Sequence, residues 1–301
     1  MSSFTIRQLE YFVASVEAGS LTGAAKLCQV SHAGIANGLN ELERTVGTQL
    51  LVRRKAKGVV PTAAGRAMLP LARNMLRDAA GIDLLGQSGQ EELTGELVIG
   101  CNLALSPVLI PLIASEFADQ HPKVHVVFRE RPGAEILQLI REGQVDAGLM
   151  LQRQMPNDLE YVSICPVRVK VALAISHPLA TRTSISLAEL AREPAITPDG
   201  PALKAMLSVL EEAGVEPDIR WTLSSPETIR AMVSRGLGYS LLNVFPPISD
   251  TGGPAVAAVP VNDQLSGNAL VMALPPRRRR ISTVEKLSEI LHGAEVRALL
   301  T

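Results

Sequence analysis

Apolar residues recur every three or four positions through the first eighty-five residues, and beyond them the chain changes to short apolar runs separated by helical stretches. Ile6, Leu9, Phe12, Val13 and Val16 give an amphipathic helix over residues 5–18. Gly19 can end it, and Ser20 can cap a short second helix that buries Leu21, Ala24, Ala25 and Leu27. Val30 plugs the turn that follows. Ser31 is placed to cap a third helix with Ile35, Leu39, Leu42 and Val46 on its inner face. Leu50 to Val60, turning at Lys57-Gly58, reads as a two-stranded wing. Thr62 then caps a long helix to about Gln87, in which Met68, Ala72, Met75, Ala79 and Ile82 step by four and three. That spacing suits a dimer seam better than packing on the helix's own domain, and Pro70 predicts a bend or local break within it.

From about Ser88 onward strands and helices alternate. Expected strands are Glu96–Cys101, Val124–Arg129, Val145–Met150, Val169–Ile175, Ile219–Leu223, Tyr239–Asn243, Val256–Val261 and Ala269–Leu274. Helical runs near Pro107–Gln120, Ala134–Glu142, Leu187–Arg192, Ala202–Ala213, Pro226–Arg235 and Ser282–His292 separate them. The alternation predicts open, largely parallel sheets covered by helices, a fold that binds ligands at the carboxyl ends of its strands.

Charge sharpens the first part. The formal net charge is −1, but residues 1–90 carry ten Lys/Arg against six Asp/Glu, and the remainder nineteen against twenty-four. From Arg44 to Arg77 there are eight basic residues and no acid. A polyanion-binding end joined to an acidic body is the implication. Two short helices around a tight turn, with a basic wing, make a DNA-reading unit of the helix-turn-helix kind. Its base-reading face would hold Ser31, His32, Ala33, Ala36, Asn37 and Asn40; Arg53, Arg54, Lys55 and Lys57 would contact phosphates. Gly34 and Gly38 each cost that helix about 0.5–1 kcal/mol relative to Ala, for which close approach to another backbone is the one account the sequence offers.

Composition removes other classes. Hydrophobic content of 47% with 20% charged residues is that of a globular chain. The N-terminus has no apolar segment of the export type, and the uncharged stretch Leu97–Ser115 is broken by Gly100, Pro107 and Pro111, so a cytoplasmic protein with no membrane span is expected. Cys28, Cys101 and Cys165 are far apart, which predicts neither a disulfide framework nor a metal ribbon, and no metal or cofactor is expected. The histidines have no ligand spacing, and no nucleophile elbow, metal-protease pair or phosphate loop appears; an enzyme is not expected. Arg277 to Arg280 reads as a solvated loop. A solute-binding module without DNA activity is opposed by the first ninety residues.

Taken together, these residues resemble the LysR-type transcriptional regulators over nearly the whole chain. Leu9-Glu10-Tyr11-Phe12, Gly19-Ser20-Leu21 and Ala24-Ala25 look like the family's opening, and Leu42-Glu43, Gly47, Leu50, Arg53 and Thr62-Ala63-Ala64-Gly65 like its wing and linker start. Pro111, Phe117, Pro122, Gly143-Gln144-Val145-Asp146, His177-Pro178-Leu179-Ala180 and Gly236-Leu237-Gly238 recur at its spacing. The sequence departs at Ala36, Asn37, Leu51 and Leu242-Asn243.

The resemblance implies an α/β protein with an N-terminal winged helix-turn-helix (1–61), a linker or dimerisation helix (62–90) and a two-lobed effector domain like a periplasmic binding protein (91–301). Lobe I would take residues 91–163 and 268–301, and lobe II 164–267. Double-stranded promoter DNA, a small-molecule effector such as a carboxylate, and further copies of the chain as a homodimer or homotetramer are the implied partners. The effector would lie between the lobes. Candidates there are Cys101, Asn102, Leu103, Ala104 and Ser106 before a helix start, Arg131 as a positive charge, and Gly133. The second lobe offers Thr197, Pro198, Asp199, Ser224, Ser225 and Asn243. Cys101 and Cys165, near the cleft or hinge, could sense oxidant, although buried thiols are the plainer reading.

Overall fold

A computed structural model describes residues 4–54, 58–85, 93–243, 256–276 and 282–300, without the side chains of residues 53, 54, 74, 77, 78 and 80–85. The chain forms two units, the first of Met1–Gly95 with Arg141–Gln144 and the second of Glu96–Ile140 with Val145–Thr301. Among the described residues no helix is long and apolar enough to cross a membrane.

The first unit contains α1 (Ile6–Glu17), α2 (Leu21–Leu27), α3 (His32–Val46), the hairpin β1 (Leu51–Arg54) and β2 (Gly58–Pro61), and α4 (Ala63–Leu85). Short polar residues start each helix. The Thr5 hydroxyl accepts from the Gln8 N–H while Gln8 Oε1 accepts from the Thr5 N–H; Ser20 and Ser31 hydroxyls each accept from the backbone three residues on, at 3.0 Å. The Thr62 hydroxyl accepts the Gly65 N–H at the start of α4. Leu9, Phe12, Leu21, Ala24, Ile35, Leu39, Leu42 and Leu50 are all buried in one core.

Three expected core positions are instead exposed: Ile6, Leu27 (63%) and Val46 (41%). Each is the first or last residue of its helix, where the chain turns away from the core. α4 continues through Pro70 without a break. The ring removes a single intrahelical bond, and Leu69 and Ala72 beside it are anchored in the core. Ala72 and Met68 of the expected seam therefore pack within their own unit, whereas Met75 and Leu71 stay exposed.

The second unit begins with β3 (Gly95–Asn102), α5 (Ser106–Gln120), β4 (Val124–Arg131), α6 (Gly133–Arg141) and β5 (Ala147–Leu151). A 3-10 turn (Gln152–Gln154) leads to β6 (Tyr161–Pro166) and β7 (Lys170–Ala174). Next come β8 (Pro194–Pro198), α7 (Gly200–Glu212), β9 (Asp218–Leu223), α8 (Pro226–Ser234), β10 (Ser240–Leu242) and β11 (Val256–Pro260). The unit ends with β12 (Ala269–Ala273), α9 (Ser282–Leu291) and α10 (Ala294–Leu300).

The first lobe is the five-stranded sheet β4-β3-β5-β12-β6, and the second is built on β10-β7-β11 and β8-β9. Tyr239 joins the two smaller sheets: its N–H donates to the Pro194 carbonyl and its carbonyl accepts from Ile196. Gly238, at φ +147°, has a Cβ position filled by the Pro194 carbonyl, so the approach requires glycine. The winged helix-turn-helix and the two-lobed α/β body are thus both present. The expectation of largely parallel sheets needs correction. β3–β5 and β8–β9 are parallel, but β12 runs antiparallel to both neighbours, as do β10 and β11 to β7. β12 arrives from the second lobe rather than through a helical crossover, so nothing forces it to run with β5.

Candidate functional site

α3 presents the candidate DNA face. His32, Ala33, Asn37 and Asn40 are exposed along it, Ser31 serves as its cap, and Ala36 is half-buried against the core. The expectation of another backbone against Gly38 needs correction. A Cβ there would lie 2.6 Å from Cδ2 of Tyr11, so the aromatic ring of α1, rather than a backbone, occupies the space. Arg53 and Arg54 lie in β1; their side chains, and all of Lys55 and Lys57, fall outside the described residues, as does Arg277–Arg280.

In the second unit a cavity of about 440 Å³ opens between the lobes. Of the expected residues, Asn102, Leu103, Ala104, Gly133, Pro198, Asp199, Ser224 and Asn243 line it. Cys101, Ser106, Arg131, Thr197 and Ser225 stand outside the lining, each with another task. Cys101 is buried in β3, and burial pushes its thiol up to about 12. The Ser106 hydroxyl donates to the Asn102 carbonyl, and that of Ser225 caps α8. Thr197 is buried on β8 and its hydroxyl donates to the Trp221 carbonyl. The Arg131 guanidinium is exposed, donating to the Glu130 carbonyl and pairing with Glu135.

The positive charge in the wall comes from residues the sequence reading passed over, and the negative charge from the exposed Glu135 and Asp199. Arg230 on α8 is 8% exposed and lies 2.6 Å from Glu227 Oε1. Arg153 follows β5 directly, so the rule that ligands sit at strand carboxyl ends could have found it. Arg230 could have been found as the basic residue between Ile229 and Val233 on an otherwise apolar helix face. Most of the remaining wall is apolar: Leu151, Val169, Met206, Val209, Ile229 and Leu241 among others.

Among the buried polar groups of the wall several are donors. α7 begins at the cavity, and the side chain of its cap, Asp199, makes no capping bond, leaving first-turn N–H groups open. Asn243 Nδ2 is a buried donor with no partner among the described residues. Asn102 is held by Gln154: Nδ2 donates to Gln154 Oε1 at 2.9 Å, and Oδ1 accepts from the Ala104 N–H. Such an arrangement can hold an apolar body and an acceptor-rich head.

Comparison with known proteins agrees with this division. Residues 6–66 match the bacterial regulatory helix-turn-helix protein, lysR family, and residues 90–295 match the LysR substrate binding domain. The DNA-binding transcriptional dual regulator OxyR of Escherichia coli K12 is 28% identical over 277 residues, 91% of this chain and 87% of that protein. The HTH-type transcriptional regulator YnfL of the same organism is 30% identical over 244 residues, 79% and 81% of the two. A full-length OxyR variant from Pseudomonas aeruginosa shares the fold, with a TM-score of 0.79 over 100% of this chain and 99% of that one at 23% identity. The chain belongs to the LysR family of helix-turn-helix transcriptional regulators that carry an effector-binding domain.

Proposed function

We propose that this regulator responds to a small organic anion with an apolar body, bound in the 440 Å³ cavity. Two mostly buried guanidiniums in a largely apolar wall, whose carboxylates Glu135 and Asp199 are exposed, carry the reading. Arg230 supplies a guanidinium and the start of α7 supplies open N–H groups, while Met206, Val209 and Ile229 surround the rest of the ligand. Cavities of this size hold ligands of metabolite scale. Occupancy would bias the lobes between two arrangements and so alter DNA binding or activation. On the DNA side, His32, Asn37 and Asn40 read bases and the wing from Arg53 to Lys57 holds phosphates. Operation as a homodimer or homotetramer in the cytoplasm completes the reading, with the exposed Leu71 and Met75 of α4 available for self-association.

The relatives whose names record hydrogen peroxide induction suggest a second reading, oxidant sensing. The cysteines here do not favour it. Cys101 and Cys165 are buried with thiols pushed up by desolvation, and neither lines the cavity. Thiolates, not thiols, react with peroxide.

Thermal-shift titration of the full chain with a panel of four- to eight-carbon monocarboxylates and their neutral amides tests the proposal. At least one acid should stabilise the chain where its amide does not, and Arg230→Gln should weaken that acid about tenfold. Equal shifts from acids and amides would sink it.

A further inference from the structure

One side chain in the cavity wall is committed to two places. Arg153 is 10% exposed and lines the cavity, and its five N–H donors can be followed one at a time. Nη1 donates to Glu212 Oε1 at 2.7 Å and to Ser208 Oγ at 3.2 Å. Nη2 donates to Glu212 Oε2 at 3.0 Å and to the Ser266 carbonyl at 2.5 Å. The fifth donor, Nε–H, is buried and has no acceptor among the described residues. A buried, charged donor left open in this way is expensive, and an acceptor arriving in the cavity would relieve it.

The partners of the other four donors matter as much. Arg153 belongs to the first lobe, just after β5, whereas Ser208 and Glu212 lie in the last turns of α7 in the second. Ser266 lies on the segment that carries the chain back to β12, and its N–H also donates to Glu212 Oε2 at 2.7 Å. The Arg153 backbone N–H donates to Asn268 Oδ1 on the same return segment. A single guanidinium therefore ties together one lobe, the other lobe and the connection between them. Arg230 pairs with Glu227 on its own helix.

We propose that Arg153 reads the anionic head of the effector through its free Nε–H and relays occupancy to the Glu212 clasp between the lobes. The proposal rests on the cavity being the effector site. It names a carboxylate as the head, since an acceptor with no proton of its own fits both the open Nε–H and the first-turn N–H groups of α7.

Acetate, with acetamide as the neutral control, is the minimal probe, and the full chain is the sample. Binding is read by ligand-observed NMR, and the clasp by hydrogen exchange of residues 206–213 and 262–268. The wild type should show saturable millimolar binding of acetate and not of acetamide. Arg153→Met should weaken acetate at least fivefold and raise exchange in both segments. Arg153→Lys keeps a cation for Glu212 but has no Nε–H, so it should keep exchange near wild type while losing acetate. Ala205→Trp, which fills the cavity, should abolish binding. Unchanged acetate affinity in both Arg153 variants, with Ala205→Trp still blocking, would overturn the role of Arg153 and leave the cavity reading standing. No saturable acetate site in the wild type, or one indifferent to Ala205→Trp, would remove the cavity reading and this proposal together.

Discussion

Gly38 sits mid-helix on α3, the element proposed to read DNA, and the Tyr11 ring explains it better than any local preference does. Replacing it with alanine ought to gain helix propensity, yet the added methyl meets a ring fixed in the core. We expect Gly38→Ala to destabilise the first unit by about 1–3 kcal/mol, as overpacking does. Placed in a Tyr11→Ala background, the same change should become neutral or favourable; denaturant titration of the four proteins gives the coupling. Glu212 is the second residue with a distinctive signature. Hydrogen bonds from Arg153 and from the Ser266 N–H hold its carboxyl at about 2, below an ordinary value of 4.5. Because the folded value is depressed, the stabilisation is full above pH 4.5 and is lost as pH falls through about 2. Glu212→Gln should therefore cost about 1–3 kcal/mol near neutrality, and urea melts of variant and wild type should converge as the solution is acidified across that interval. Neither effect was legible in the sequence. A glycine pattern shows that space is needed but not what fills it, and Arg153 and Glu212 are fifty-nine residues apart, in different lobes.

At the scale of elements, the helices of the first unit were readable because each is amphipathic and each starts on a short polar cap. The outward face of α3 combines small side chains with His32, Asn37 and Asn40. Asn37→Ala should reduce discrimination between operator and random DNA by about 1–3 kcal/mol while leaving the salt dependence alone. Arg53→Gln should do the reverse, lowering the slope of log K against log salt by about 0.9 with little change in discrimination. Fluorescence anisotropy over a salt series separates the two. Strand direction was the feature least readable. β12 and β7 are short apolar runs like any other, and their antiparallel pairing depends on where the chain comes from, which periodicity does not record. β6 and β8 escaped notice for a related reason: Cys165-Pro166 and Pro194–Pro198 carry prolines that read as loop. The same limit applied to the cavity wall. Loops following strands were legible as ligand-facing, so eight of the lining residues were named in advance, whereas the basic donors Arg153 and Arg230 were not.

The whole molecule consists of two units with separate cores, and the cavity is built entirely from residues 102–268 of the second. A fragment spanning residues 93–301 should accordingly fold alone and respond to the acid panel within about twofold of the full chain, since no lining group is removed. Calorimetry and titration of the fragment check both points; a fragment that folds but has lost the response would show that the first unit shapes the cavity.

The placement of β12 between β5 and β6 has a further consequence, for the order in which the protein is made. The first unit has all of its core once residue 85 has been synthesised, whereas the first lobe lacks its inner strand until Ala273 emerges. At roughly 5–20 residues per second that gap lasts on the order of 10–40 s. Throughout it, a nascent chain carries a finished DNA-reading head and a sensor whose sheet is split in two. A polypeptide that ends before Ala269 would remain in that condition permanently, occupying operators while deaf to the signal, and full-length copies would have to compete with it.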